Sequence, residues 1–205
     1  MHLALKEDSA QALARHEAFW HREIIDRPPV MFHLRKPGTP PFRAKAYASY
    51  AERWLDLEYR AEQIDYDLTH TDHLYDALPT VFPNLGPEIF SAWCGCGYDY
   101  SESTTWAIPC MEGDEPQGPT PRLDIHHPLF RALERFTDLL IERGRGRFIV
   151  GLTDLHPGGD HLAALRDPQQ LNIDLLDNPE WVERALALSM TRTLKSMSRM
   201  SATPG

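Results

Sequence analysis

Long apolar runs are missing from this 205-residue chain: no stretch approaches the roughly 20 consecutive apolar residues that a membrane-spanning helix requires. The first twenty residues, MHLALKEDSAQALARHEAFW, also lack the apolar segment and cleavage site of a secretory leader and have the pattern of an amphipathic helix. Both absences point to the cytoplasm. Cationic residues are outnumbered, 21 Lys and Arg against 30 Asp and Glu, for a formal net charge of −9. That balance argues against a general nucleic-acid or anionic-membrane surface, because both select clustered Lys and Arg. Cysteine is scarce: Cys94, Cys96 and Cys110 are an odd number without a leader, as expected of free thiols in a reducing compartment. WCGCG carries a C-x-C pair, not the C-x-x-C of zinc knuckles, and is expected to be two small buried residues beside a glycine turn. There is no phosphate-binding Walker loop, no G-x-S-x-G and no G-x-G-x-x-G, and RGRGR has arginine where a phosphate loop needs small residues. His70 and His73 flank Asp72 but lack the H-E-x-x-H arrangement, so no metal site is expected within the chain.

What the chain does contain is alternation of apolar strands with amphipathic helices. Ala12, Leu13, His16, Phe19, Trp20 and Ile24 recur at helical spacing until DRPP breaks the helix. Val30 to Leu34 (VMFHL) is expected to be a short buried strand. Tyr50, Trp54, Leu57, Ala61 and Ile64 predict one helix over 46–64. DALPTVFPNLGPEIF reads as a strand over 78–82, a turn over 83–86 and a helix opening at Pro87-Glu88. YDYSESTTWAIPC alternates like a strand or hairpin, and MEGDEPQGPTPRLD is a surface loop. A strong helix is predicted over 127–142 and a strand over 148–152. Three further helices are predicted, near 160–165, over 169–176 and from Pro179. Residues 196–205 lose the helical pattern and read as an irregular tail. Repeated β-α order favours α/β architecture with a parallel sheet, either open or a (β/α)8 barrel. Only three or four strands can be counted, and a closed barrel takes about 250 residues. A barrel therefore implies that the 205 residues form a single domain corresponding to its N-terminal half.

In a parallel sheet, residues just beyond the strand C-termini converge where ligands bind. Three clusters meet that condition. His33, Arg35 and Lys36 supply cations, and a guanidinium suits a carboxylate or phosphate. Asn84 and Gly86 offer an amide and a turn that tolerates close approach, and both residue types also simply make turns. Thr153, Asp154, His156 and Asp160 put two carboxylates and an imidazole within seven residues, a density suited to general acid–base chemistry. Asp160 reads equally as a helix N-cap and Asp154 as a turn former.

Three segments carry a family resemblance: IIDRPPVMFHLRKPG (24–38), LPTVFPNLGPEIFSAWCG (78–95) and RFIVGLTDLHPGGDHLAALRDPQQLNIDLLDNPEWVERAL (147–186). In order and spacing the chain resembles the uroporphyrinogen decarboxylase superfamily, which includes corrinoid-dependent methyltransferases. The resemblance implies the N-terminal half of a (β/α)8 barrel with its site at the C-terminal mouth of the strands. It implies a carboxy-lyase acting on a tetrapyrrole-type or related carboxylate substrate, or a methyltransferase of the same superfamily; a non-catalytic remnant is the third reading. Asp154, His156 and Asp160 would then be catalytic, with His33, Arg35, Asn84 and Gly86 binding substrate. Arg35 matches one of the two arginines of the family's first loop, and Asn84 lies nearest its aspartate after the second strand. The decarboxylase reading implies no cofactor; the methyltransferase reading implies zinc and a corrinoid, with ligands outside these residues. The expected partner is a small-molecule substrate, with a homodimer and a corrinoid protein as further candidates.

Overall fold

The computed structural model describes residues 2–111 and 123–200, with side chains to residue 191, so the surface loop expected over 111–124 lies largely outside the described residues. Mixed α/β structure is present, as expected, with fourteen described elements. In chain order they are α1 (Ser9–Trp20), β1 (Met31–Arg35), α2 (Tyr50–Leu55), α3 (Leu57–Thr69), β2 (Thr71–Tyr75), β3 (Thr80–Val81) and α4 (Ile89–Trp93). They continue with β4 (Gly97–Tyr100), β5 (Thr105–Ile108), α5 (Pro128–Gly144), β6 (Ile149–Val150), α6 (Gly159–Arg166), α7 (Pro168–Asp177) and α8 (Pro179–Met200). The described strands form three two-stranded sheets: β1–β2 and β4–β5 are antiparallel, and β3–β6 is parallel.

Two compact units divide the chain, each discontinuous in sequence. The first comprises residues 1–47, 56–83 and 135–152; the second comprises 48–55, 84–134 and 153–205. In the first, Ala12, Ala61, Ala77, Phe136, Leu140 and Phe148 are buried. Asp76 organises this unit. Its fully buried carboxylate accepts from Arg15 (3.0 Å), from Arg27 and from the Val30 amide (3.0 Å), and its own N–H donates to the Val30 carbonyl at 2.8 Å. Burial by itself would raise the Asp76 pKa, but those donors outweigh it and hold the group at about 2. In the second unit Ile89, Phe90 and Trp93 of α4 are buried, with Phe90 4.4 Å from the His161 ring and Trp93 4.9 Å from Phe130. Leu162, Val182 and Ala185 pack together, with Leu171, Trp181 and Leu186 around them. Inside the same unit Arg166 and Asp174 form a buried two-pronged ion pair at 2.6 and 3.1 Å, and Arg166 also donates to the Met111 carbonyl at 2.9 Å.

Several expectations are corrected. VMFHL is a strand but not a buried one: all five residues of β1 are exposed, and it runs antiparallel to β2 rather than in a parallel sheet. The single helix over 46–64 is two, because the Asp56 side chain accepts the Tyr59 N–H at 3.2 Å and starts α3 afresh. β2 was not signalled, since TDHLY alternates weakly and its pairing with β1 is long-range. Asp160 is not an N-cap: α6 is capped at Gly158, with φ +72°, and Asp160 sits within its first turn. The tail expected from 196 is helical as far as Met200. The hairpin β4–β5 and the helices α5 to α8 form close to the predicted places.

Candidate functional site

β3 and β6 are the parallel strands. Ile149 N–H donates to the Pro79 carbonyl (2.9 Å) and Gly151 N–H to that of Val81 (2.7 Å), so both strands end at the same level. A Cβ on Gly151 would meet the Val81 carbonyl at 3.7 Å, an ordinary contact, so this glycine is not needed for the pairing itself. The chain beyond each strand enters the second unit, which therefore holds Asn84, Gly86, Asp154, His156 and Asp160. His33 and Arg35 belong to the first unit.

Two of the expected catalytic residues meet. His156 Nε2 lies 2.9 Å from Asp154 Oδ2, with both side chains partly open to solvent. The i, i+2 spacing across an extended loop brings the two groups together, and Pro157 and Gly158 then turn the chain into α6. Gly158 adopts φ +72°, and its N–H donates to the Ser189 hydroxyl at 3.3 Å, which fixes the exit of the loop. With Nε2–H donating to the carboxylate, Nδ1 of His156 is left with its lone pair for proton exchange. Thr153, one residue before Asp154, is buried. Asp160 contributes a negative charge at the N-terminal turn of α6, where the helix dipole favours it.

Asn84 and Gly86 have structural duties. Asn84 Oδ1 accepts the Gly86 N–H at 2.7 Å, closing a turn on itself. Gly86 has φ +113°, and a Cβ there would fall 1.7 Å from Thr105 Oγ1 and 2.3 Å from the Tyr98 hydroxyl. The close approach foreseen at this glycine is thus made by the β4–β5 hairpin. Tyr98 completes the arrangement with hydrogen bonds to Thr105 Oγ1 (2.6 Å) and the Leu85 carbonyl (3.1 Å).

His33 and Arg35 lie within β1 rather than beyond its end. His33 pairs across the ribbon with His73, Nδ1 to Nδ1 at 3.0 Å. His73 Nε2 is 3.2 Å from the Leu68 carbonyl, which can only accept, so Nε2 carries the proton and Nδ1 of His73 accepts from Nδ1–H of His33. Burial, then the nearby His33, Lys6 and Lys36 charges, hold His73 below the usual histidine range, against the Leu68 hydrogen bond. Arg35 lines an open groove of about 540 Å³ with Thr39, Phe42, Tyr59, Gln63 and Asp67. Its guanidinium bonds Asp67 at 3.3 Å and the Pro40 carbonyl at 3.1 Å, both at the surface.

Cys94 and Cys96 are buried as expected, whereas Cys110 is exposed and its Sγ is 3.0 Å from that of Cys96. Sequence reasoning missed this pair and Asp76, because both depend on partners distant along the chain. Among the described residues no group of three or more His, Cys, Asp or Glu side chains is placed to hold a metal ion, and no helix is long and apolar enough to cross a membrane. Comparison with known proteins finds no match: no family model fits the chain, and no curated protein or solved structure is detectably similar.

Proposed function

We propose that the chain is the N-terminal part of a (β/α)8-barrel enzyme of the uroporphyrinogen decarboxylase type. In this reading β3 and β6 are adjacent barrel strands, and the enzyme is a carboxy-lyase acting on a tetrapyrrole-type or related carboxylate. The observation that carries the proposal is the 2.9 Å contact of Asp154 with His156, in the segment leaving a strand that is parallel-paired to another. The connection between those strands contains α4 and α5, as a parallel crossover requires. Apolar side chains left open on β1 (Met31, Phe32 and Leu34 are each more than half exposed) suit a sheet that further structure covers.

The chemistry needs a proton to take the place of the departing carboxyl group: R–CH2–COO⁻ and H⁺ become R–CH3 and CO2. Asp154 accepts from Nε2–H of His156 and fixes the ring. Nδ1 first takes a proton from solvent, then gives it to the methylene carbon, where the electron pair of the breaking C–C bond becomes the new C–H bond as CO2 leaves. Asp160 and the first-turn N–H groups of α6 lie on the same loop-to-helix segment. In the first unit, the exposed Arg35–Asp67 pair is of a kind worth at most about 1 kcal/mol.

Anaerobic incubation of the protein with uroporphyrinogen, followed by chromatography of the oxidised porphyrins, tests the reading. Products with fewer carboxyl groups are expected; unchanged octacarboxylate after prolonged incubation with protein shown to be folded contradicts it.

A further inference from the structure

The open end of the β4–β5 hairpin brings two sulfurs together. Cys96 immediately precedes β4 and Cys110 follows β5 by two residues, with Gly97 opposite Ile108 in the ladder. The two Sγ atoms are 3.0 Å apart. Their placement is held from α6: Cys110 and Met111 N–H both donate to the Leu165 carbonyl, at 3.0 and 2.9 Å, and Cys96 Sγ faces the Ala164 carbonyl at 3.6 Å. Cys96 is buried and Cys110 is at the surface, so an oxidant meets one sulfur while the other waits behind it. Forming a bond requires the sulfurs to close by about 1 Å more.

We propose that Cys96 and Cys110 are a redox modification site, forming a reversible intrachain disulfide by exchange with a small-molecule disulfide of the glutathione class. Cys110 is the attacking sulfur. Hydrogen bonding from the Cys96 thiol holds Cys110 below the usual thiol range, and the same contact together with burial pushes Cys96 up. The Cys110 thiolate attacks one sulfur of the oxidised reagent RS–SR, forming a mixed disulfide and releasing RS⁻. Cys96 then gives up its proton and attacks Cys110 Sγ, the Cys110–SR bond breaks, and a second RS⁻ leaves. The two protein thiols lose two electrons and two protons, and one RS–SR becomes two RSH. Once Cys110 is in the mixed disulfide it no longer carries the charge that retained the Cys96 proton, which makes the second step follow the first.

The test is to incubate the full chain with oxidised glutathione, quench with acid and map its peptides without reduction. The expected result is a Cys96–Cys110 cross-link, loss of two hydrogens in the intact mass, a fall in free thiols from three to one, and full reversal by dithiothreitol. Cys94→Ser should behave as the parent does, and Cys96→Ser should stop at a stable glutathione adduct on Cys110. A wild-type chain that retains three thiols, accumulates an unresolved adduct, bridges through Cys94 or forms covalent dimers overturns the proposal. The wild-type peptide map decides the matter even where the Cys96 variant fails to fold.

Discussion

Asp76 has no solvent exposure, yet its carboxylate is ionised because Arg27, the Val30 amide and Arg15 surround it. Removing the charge leaves two guanidinium groups without their buried partner, so Asp76→Asn should destabilise the protein by about 2–4 kcal/mol in urea unfolding. The sign of the pH effect follows from the depressed pKa. With about 2 in the folded state against an ordinary 3.8, the stabilisation is complete above about pH 4 and disappears as pH falls toward 2. Acid titration of the unfolding free energy in wild type and Asp76→Asn should show that slope in the first and a reduced slope in the second. Gly86→Ala is expected to cost at least about 2 kcal/mol, since the variant must bear both a positive φ and an overlap with Thr105 and Tyr98. Asn84 and Gly86 could be read as turn formers from sequence. That Gly86 clears space for the hairpin could not, because Thr105 lies nineteen positions further on.

Elements whose signals are local were legible, and those that depend on long-range pairing were not. α5 declared itself through Leu129, Leu133, Phe136 and Leu140 at helical spacing, and the β4–β5 hairpin through its alternation. The β1–β2 ribbon was hidden. His33 and His73 stand 40 positions apart, and β1 is apolar in composition yet exposed, so its apolar residues suggested burial that the fold does not provide. The ribbon also has a pH signature. His73 accepts a hydrogen bond only while neutral, and its folded pKa is lowered, so its contribution is present above the unfolded value near 6.5 and is lost as pH falls through the folded one. Stability should therefore decline as pH falls below about 6.5, and His73→Gln should flatten that decline; thermal melts at a series of pH values measure both. At the junction of α6 and α7, Asp167 takes φ +84° while its carboxylate caps Gln169 and Gln170 at 2.8 and 3.1 Å. Asp167→Ala loses the caps and keeps the strain, at a cost of roughly 1–2 kcal/mol.

At the scale of the molecule the order of strands and helices was readable apart from β2 and the α2–α3 break, but the division into units was not. Two units, each assembled from separated stretches, place Arg35 in one and the Asp154–His156 pair in the other. Asp154 and His156 meet because they lie two residues apart in one loop, a proximity that local spacing alone supplies. The expectation of a continuous parallel sheet rested on β-α alternation, and antiparallel ribbons satisfy the same alternation whether the partner is a near neighbour, as in β4–β5, or 40 positions away, as for His33 and His73 in β1–β2. Exposed apolar residues on β1 make a further prediction: Leu34→Lys, at a position already 53% exposed, should change stability by no more than about 0.5 kcal/mol while lowering binding of an apolar-surface dye.

The central claim, that Asp154 and His156 act together in removing a carboxyl group, is tested most directly by carbon dioxide release. Uroporphyrinogen labelled in its side-chain carboxyls would be incubated anaerobically with the wild-type protein and with Asp154→Asn and His156→Gln, each first shown to melt cooperatively. The account predicts labelled CO2 from the wild type and a loss of about 10²-fold or more in either variant, the scale of a general acid–base contribution. Release that is absent from the folded wild type, or undiminished in both variants, would contradict it.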